Sequence, residues 1–182
     1  MVLSSATIIG SGKKRNAFDF YPTPKEVTMA FLNNIDWPKT IVVWEPACGE
    51  NHMVNVLLER FNVVIGSDIQ KGTDFLTAPM LEVDACVTNP PFTLSVEFIK
   101  KATMYPYAAL LLKSAYWHSA RRTKLFYARK PSKILCLNWR PQFTPSLIKT
   151  FPTMDFIWTI WEPYATNTEF IVCEKPNLKG ML

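Results

Sequence analysis

Short apolar runs alternate along the chain with segments whose apolar residues recur every three or four positions. "TIVVWE" (40–45), "NVVIGSD" (62–68), "VDACVTN" (83–89), "YAALLLK" (107–113) and "KILCL" (133–137) are short and bulky, so each predicts a strand. Between them Met53, Val54, Leu57, Leu58 and Phe61 repeat at helical spacing. "SVEFIKKA" predicts a further helix, and residues 115–128 another. At "TPKE" Thr23 can N-cap a helix, with Pro24 at its first position and Glu26 completing a capping box. That helix is expected to run to about Asn34. "MDFIWTIW" and "TEFIVCEK" predict two last strands, read as an antiparallel pair. Strands alternating with helices predict an α/β sandwich on a mainly parallel central sheet. No repeat or linker divides the chain: residues 1–18 are expected to form a mobile arm and 19–182 one domain.

Composition leaves this picture in place and removes some functions. With 182 residues, 48% hydrophobic and 19% charged, the chain has the make-up of a globular domain with a sizeable core. Its longest strongly apolar run, "AALLL", is far too short to span a bilayer. "MVLSSATIIGSGKKRN" carries its apolar residues before its charges, the reverse of a secretory signal, so a cytoplasmic protein is expected. Cys48, Cys86, Cys136 and Cys173 lie far apart without a C-x-x-C, and read as buried free thiols. His52 and His118 stand alone, so no metal site is expected.

Charge changes the picture more. The net charge is +5, yet residues 98–154 hold eleven basic residues and no acidic one, leaving nine basic and fifteen acidic residues elsewhere. Fifty-seven residues without a carboxylate suggest a face built for a polyanion. Lys113, Arg121, Arg122, Lys124, Arg129, Lys130, Lys133 and Arg140 are the candidate phosphate contacts, with Tyr116, Trp117, Phe126 and Tyr127 interleaved.

In a parallel sheet, ligands sit beyond the carboxyl ends of the strands, and the unusual residues fall there. "EPACGEN" takes a strand ending at Glu45 through Gly49 into a helix, which can bring backbone close to a ligand. Asp68 ends the next strand, twenty-three residues on, a spacing that suits a carboxylate taking ribose hydroxyls. In "GTDFL", Asp74 can accept from an adenine amino group while Phe75 packs on the ring. "TNPPF" then sets a side-chain carbonyl, Asn89, beside the carbonyl of Pro90 at a rigid bend held by Pro91. Two acceptors held together suit an amino group with two hydrogens. Bonding both hydrogens of an adenine N6 would pull it toward tetrahedral geometry and restore its lone pair, while Phe92 stacks on the base.

"FYPTP", "EPACGE", "SDI", "DFL" and "TNPPF", in this order, resemble the amino-group DNA methyltransferases, specifically small adenine-N6 enzymes of phage and prophage type. "LLLKSAYWHSARRTKLF", "NWRPQF" and "PTMDFIWTIW" resemble the same group, so the likeness runs from Phe20 to Pro176. It implies a Rossmann-like class I sandwich, S-adenosylmethionine as methyl donor, DNA as partner and a bacterial or phage-infected host cytoplasm. By the same resemblance Tyr21 and Thr23 line the cofactor's methionine end, with Glu45, Pro46, Ala47 and the turn through Gly49. Asp68, beside Ile69, holds the ribose, Asp74 and Phe75 the adenine ring, and Asn89 closes the pocket as well as acting in catalysis with Pro90, Pro91 and Phe92.

Asn51 stands where the family's turn usually has a second glycine. Asparagine tolerates left-handed backbone better than most residues, so the turn is expected to be kept, with weakened cofactor binding. Too few residues separate "RPQF" from "PTMDF" for a recognition module, which predicts short or relaxed sequence specificity. The alternatives are an RNA adenine or protein glutamine methyltransferase, which share "NPPF", and a non-catalytic nucleic-acid-binding protein on the same fold. The basic stretch speaks against a protein substrate but not against RNA.

Overall fold

The structure, a computed structural model, describes residues 22–143 and 152–178. The expected 1–18 arm and Tyr21 lie outside them.

The order along the chain is α1 (Lys25–Leu32), β1 (Val42–Glu45), α2 (His52–Leu57), β2 (Val63–Gly66), β3 (Ala85–Thr88), α3 (Ser95–Ala102), β4 (Tyr107–Lys113), α4 (Thr123–Ala128), β5 (Lys133–Leu137), β6 (Phe156–Trp161) and β7 (Glu169–Cys173). The strands form one seven-stranded sheet ordered β2-β1-β3-β4-β6-β5-β7. β2, β1, β3 and β4 pair in parallel, so their carboxyl ends share one edge. The two C-terminal strands run in opposite directions, as expected, but with β5 between them. β6 is antiparallel to both β4 and β5, and β7 is parallel to β5.

Strand β4 shows why the central sequence reads as a continuous apolar run. Ala109 and Leu111 join a core cluster with Phe31, Trp37 and Trp158, while Ala108, Leu110 and Leu112 join a second with Trp44, Phe75 and Phe98. Both faces are covered, so neither parity of the strand meets water. Fully burying each leucine contributes ~1.5–3 kcal/mol. Helix α1 lies within the first cluster, with Val27, Thr28, Met29, Ala30, Phe31 and Leu32 all buried. The indole N–H of Trp158 donates to the Val27 carbonyl across 2.9 Å, tying α1 to β6.

Two helix expectations change. Thr23 does not cap α1: Pro24 is the N-cap residue and no side chain caps the helix, because the Thr23 hydroxyl meets Asn89 instead. Residues 115–128 are not one helix. Ser114–His118 and Ala120–Arg122 are 3-10 turns broken by extended Ser119, and only Thr123–Ala128 is α-helical. Side-chain demands override the periodicity there. The Trp117 indole reaches Thr159 on β6 at 3.1 Å, and Arg122 folds back 2.7 Å onto the Tyr116 carbonyl.

Candidate active site at the carboxyl edge of the sheet

Glu45 ends β1, the chain turns through Pro46–Asn51, and α2 begins at His52. Gly49 has φ 48° and Asn51 φ 66°, so the asparagine adopts the left-handed conformation and keeps the turn. Gly66 makes room for it: a Cβ there would come within 3.1 Å of Asn51 Oδ1 and 3.3 Å of Cys48 Sγ. The turn is also hooked to the end of β2. Cys48 N donates to the Ser67 carbonyl at 2.9 Å, and Gly49 N to Asp68 Oδ2 at 2.9 Å.

Asp68 is buried, and its other oxygen accepts from Gln70 N at 2.8 Å. Each carboxylate oxygen therefore already holds one backbone N–H, and only its second lone pair remains for a ligand. The protein thus uses the expected ribose carboxylate first to join the "EPACGEN" turn to the "SDI" loop. Ile69 beside it is exposed.

Glu45 is buried with 1% exposure. Its Oε1 accepts from the Thr88 hydroxyl at 2.6 Å and from Ala47 N at 3.0 Å. Burial pushes its carboxyl up to about 8, the two hydrogen bonds pull it down, and the charge of Asp68 adds to the rise. Thr88 escaped the sequence reading. Its only signal is its place directly before Asn89 in "TNPPF".

Asp74 accepts from Leu76 N at 2.9 Å and from the Thr77 hydroxyl at 3.3 Å, shaping its own turn. Phe75 departs from expectation. Its ring is 2% exposed, edge-on to Trp44 at 5.0 Å and beside Phe98 at 4.8 Å. A ring packed by two core aromatics is no platform for a cofactor base, so only the backbone of Phe75 is left to serve the loop. Lys101 latches that loop by donating to the carbonyls of Phe75 and Ala78.

Asn89 follows β3 on the same edge. Its Nδ2 donates to the Thr23 hydroxyl at 3.2 Å, and its Oδ1 is buried without a partner among the described residues. Pro90 is buried and Pro91 half-buried. Ser95, at the start of α3, donates to the Phe92 carbonyl at 2.9 Å and pins the bend. The Phe92 ring is half-buried, 5.9 Å from Phe156, which lies 4.8 Å from Phe143 of "RPQF". Over the ring stands the Lys113 ammonium, 4.4 Å from its centroid.

The basic stretch splits between the two edges of the sheet. Lys113 ends β4 on the site's edge, where Arg121, Arg122 and Lys124 follow it and Arg140 follows the end of β5. Arg129, Lys130 and Lys133 instead lie at the amino end of β5, on the opposite edge. Lys133 is held there by Glu162 at 3.4 Å and the Asn34 carbonyl at 3.3 Å, and Lys130 by the Thr166 carbonyl at 2.9 Å. These three therefore lie on the edge of the sheet away from the candidate site. Arg122 is tied to Tyr116, with its guanidinium 4.0 Å from the ring centroid, and Arg140 to Asp155 at 2.8 Å. Arg121 and Lys124 are exposed on the site's side.

Among the described residues no group of three or more His, Cys, Asp or Glu is placed to hold a metal ion, and no helix is long and apolar enough to cross a membrane. All four cysteines are free thiols.

No protein-family model matches the sequence, and no curated protein does. Solved structures match by fold. One from Listeria monocytogenes, described as a class I S-adenosylmethionine-dependent methyltransferase, aligns with TM-score 0.59 and 16% identity, covering 86% of this chain and 66% of that one. A modification subunit of a type I restriction enzyme from Vibrio vulnificus aligns with TM-score 0.59 and 15% identity, covering 88% of this chain and 48% of that one. The 23S rRNA methyltransferase ErmE aligns with TM-score 0.56 and 16% identity, covering 80% and 70%. The chain spans about two thirds of the length of the first and about half of the second. What is shared is the mixed seven-stranded sandwich of class I methyltransferases.

Proposed function

We propose that the chain is an S-adenosylmethionine-dependent methyltransferase acting on the N6 amino group of adenine in DNA. The observation that carries this is Asn89 Oδ1, a buried acceptor without a partner among the described residues, three positions before an aromatic ring at one strand end. Unpartnered buried acceptors cost free energy, so a native site that keeps one calls for a donor. An exocyclic amino group is such a donor.

The residues present fit the cofactor. The left-handed turn at Gly49 and Asn51 brings backbone to the ligand edge, beside two carboxyls at neighbouring strand ends. Glu45 would face a cationic ammonium, and Asp68 would offer its outer lone pairs to ribose hydroxyls. Asp74 would meet the adenine end and Thr23 would hold Asn89 in place. When bound, S-adenosylmethionine supplies an electrophilic methyl group on its sulfonium.

The chain's own residues do the rest. Asn89 Oδ1 accepts from the amino group, and the Pro90 carbonyl takes its second hydrogen, so the nitrogen lone pair leaves the ring and becomes nucleophilic. Phe92 stacks on a base taken out of its duplex. The released proton passes to water. Arg121, Lys124 and their neighbours on the site's edge contact phosphates without reading sequence.

The test is transfer of labelled methyl from S-adenosylmethionine to adenine-containing DNA, to the same sequence as RNA, and to adenine-free DNA. Labelling of adenine DNA alone supports the proposal. Labelling of RNA alone keeps the chemistry and overturns the substrate, and labelling of neither overturns the enzyme.

A further inference from the structure

The aromatic platform of the candidate site is not bare. One side of Phe92 rests on Phe156 and the first core cluster, and over its ring stands the Lys113 ammonium. Lys113 is half-buried at the carboxyl end of β4, in register with Phe156. The carboxylate of Asp155, whose backbone carbonyl meets Ser114 N, is bonded to Arg140 at 2.8 Å, and no ion pair engages Lys113 among the described residues. The cation therefore has the ring as its partner. A purine stacking on that ring must first move the ammonium away.

Building on the methyltransferase reading, we propose that Lys113 is a positioning residue that keeps the Phe92 face closed to free purines and yields it to a base carrying its own phosphate. A free nucleoside displaces a cation from the ring and returns nothing to it. A nucleotide within a strand brings phosphates flanking its base, and the displaced ammonium moves onto one of them. Losing the cation–π contact, roughly 0.5–2 kcal/mol, opposes every purine. Only the strand compensates it with a charge-assisted contact. Base capture is thereby coupled to phosphate binding within one side chain.

The test uses fluorescence titration of the full chain with two probes: 2-aminopurine deoxyriboside, which has no phosphate, and a pyrimidine oligodeoxynucleotide with 2-aminopurine as its single purine. Parent, Lys113→Ala and Lys113→Arg are compared across salt. Lys113→Ala is expected to bind the free nucleoside roughly 2- to 30-fold tighter, as the lost cation–π contact implies. The same variant should bind the oligonucleotide more weakly, with a salt slope reduced by about one. Lys113→Arg should restore both, since a guanidinium serves ring and phosphate alike. If Lys113→Ala loses its fold by circular dichroism, Lys113→Gln removes the charge at nearly constant length.

Equal shifts for the two probes, or an unchanged nucleoside affinity, overturn the coupling while leaving the methyltransferase reading intact. A parent that captures 2-aminopurine in neither form overturns the coupling, while the methyltransferase reading is judged by labelled methyl transfer, because this probe has no N6 amino group for Asn89 to meet.

Discussion

Glu45→Gln separates the stability of this protein from its chemistry. The carboxyl is 1% exposed and pushed from 4.5 to about 8, chiefly by burial. An acid raised on folding makes the folded state bind more protons than the unfolded chain. Stability is therefore greatest below pH 4.5, is lost as pH rises, and levels off only above about 8. Each unit of separation is worth about 1.4 kcal/mol. At pH 7 the unfolded glutamate is ionised and the folded one still mostly neutral, a difference on the order of 3 kcal/mol, against about 1 kcal/mol at pH 5. Glutamine removes the titration but keeps an oxygen for both donors, Thr88 and Ala47, which meet the same Oε1. Its fixed effect on packing cancels between the two pH values. The stability gap of variant over parent should thus widen by about 2 kcal/mol from pH 5 to pH 7. For a domain of this size that is a change of roughly 4–8 °C in the Tm difference. Thermal unfolding of both proteins without cofactor, at the two pH values, reads it directly. A gap independent of pH would show that Glu45 is solvated or already ionised in the folded protein, and the reasoning would fail. Calorimetry on the same variant should show weaker S-adenosylmethionine binding, because glutamine, unlike the carboxyl, cannot ionise to meet the cofactor's ammonium.

Asn89→Ala removes one of the two acceptors, and single-turnover methyl transfer should fall by a factor of about 10² to 10³; a parental rate would sink the two-acceptor chemistry. Phe92→Ala should weaken binding of the 2-aminopurine oligonucleotide by about 1–3 kcal/mol of stacking, and an unchanged titration would remove the ring from base capture. Asp68→Ala strips acceptors from Gly49 N and Gln70 N, so it should weaken cofactor binding by about 1–3 kcal/mol and also lower the Tm, the second effect setting it apart from a residue that only touches ligand. Reversing Arg121 and Lys124 to Glu should flatten the salt dependence of DNA binding, whereas the same change at Arg129 and Lys130, on the opposite edge, should leave the slope as it was.

Much of the candidate site's local geometry was legible because its signals are local. A bend such as Asn89-Pro90-Pro91-Phe92 at the end of an apolar run states its rigidity and its acceptors without reference to the rest of the chain. The left-handed turn at Asn51 is of the same kind, since φ 66° is a preference of the residue itself. Alternation of strand and helix likewise dictated the sandwich, because each element must bury a face on its neighbour.

The rest depended on which distant residues meet. Residues 121–133 hold a dense basic cluster along the chain, but a strand-to-strand crossover takes it from one edge of the sheet to the other, and charge alone carries no record of that reversal. Thr23 has the sequence of a helix cap and the position of a support for Asn89 sixty-six residues away. Phe75 looked like a stacking platform until packing with Trp44 and Phe98 buried its ring. Glu45 reads in the sequence as a strand-end carboxylate of the candidate site, and only its burial in the folded protein raises its proton affinity. Chain-local chemistry set the types of group at the strand ends, and tertiary packing decided which of them remain free to act, because burial and hydrogen-bond partners belong to pairs of residues that the linear order keeps far apart.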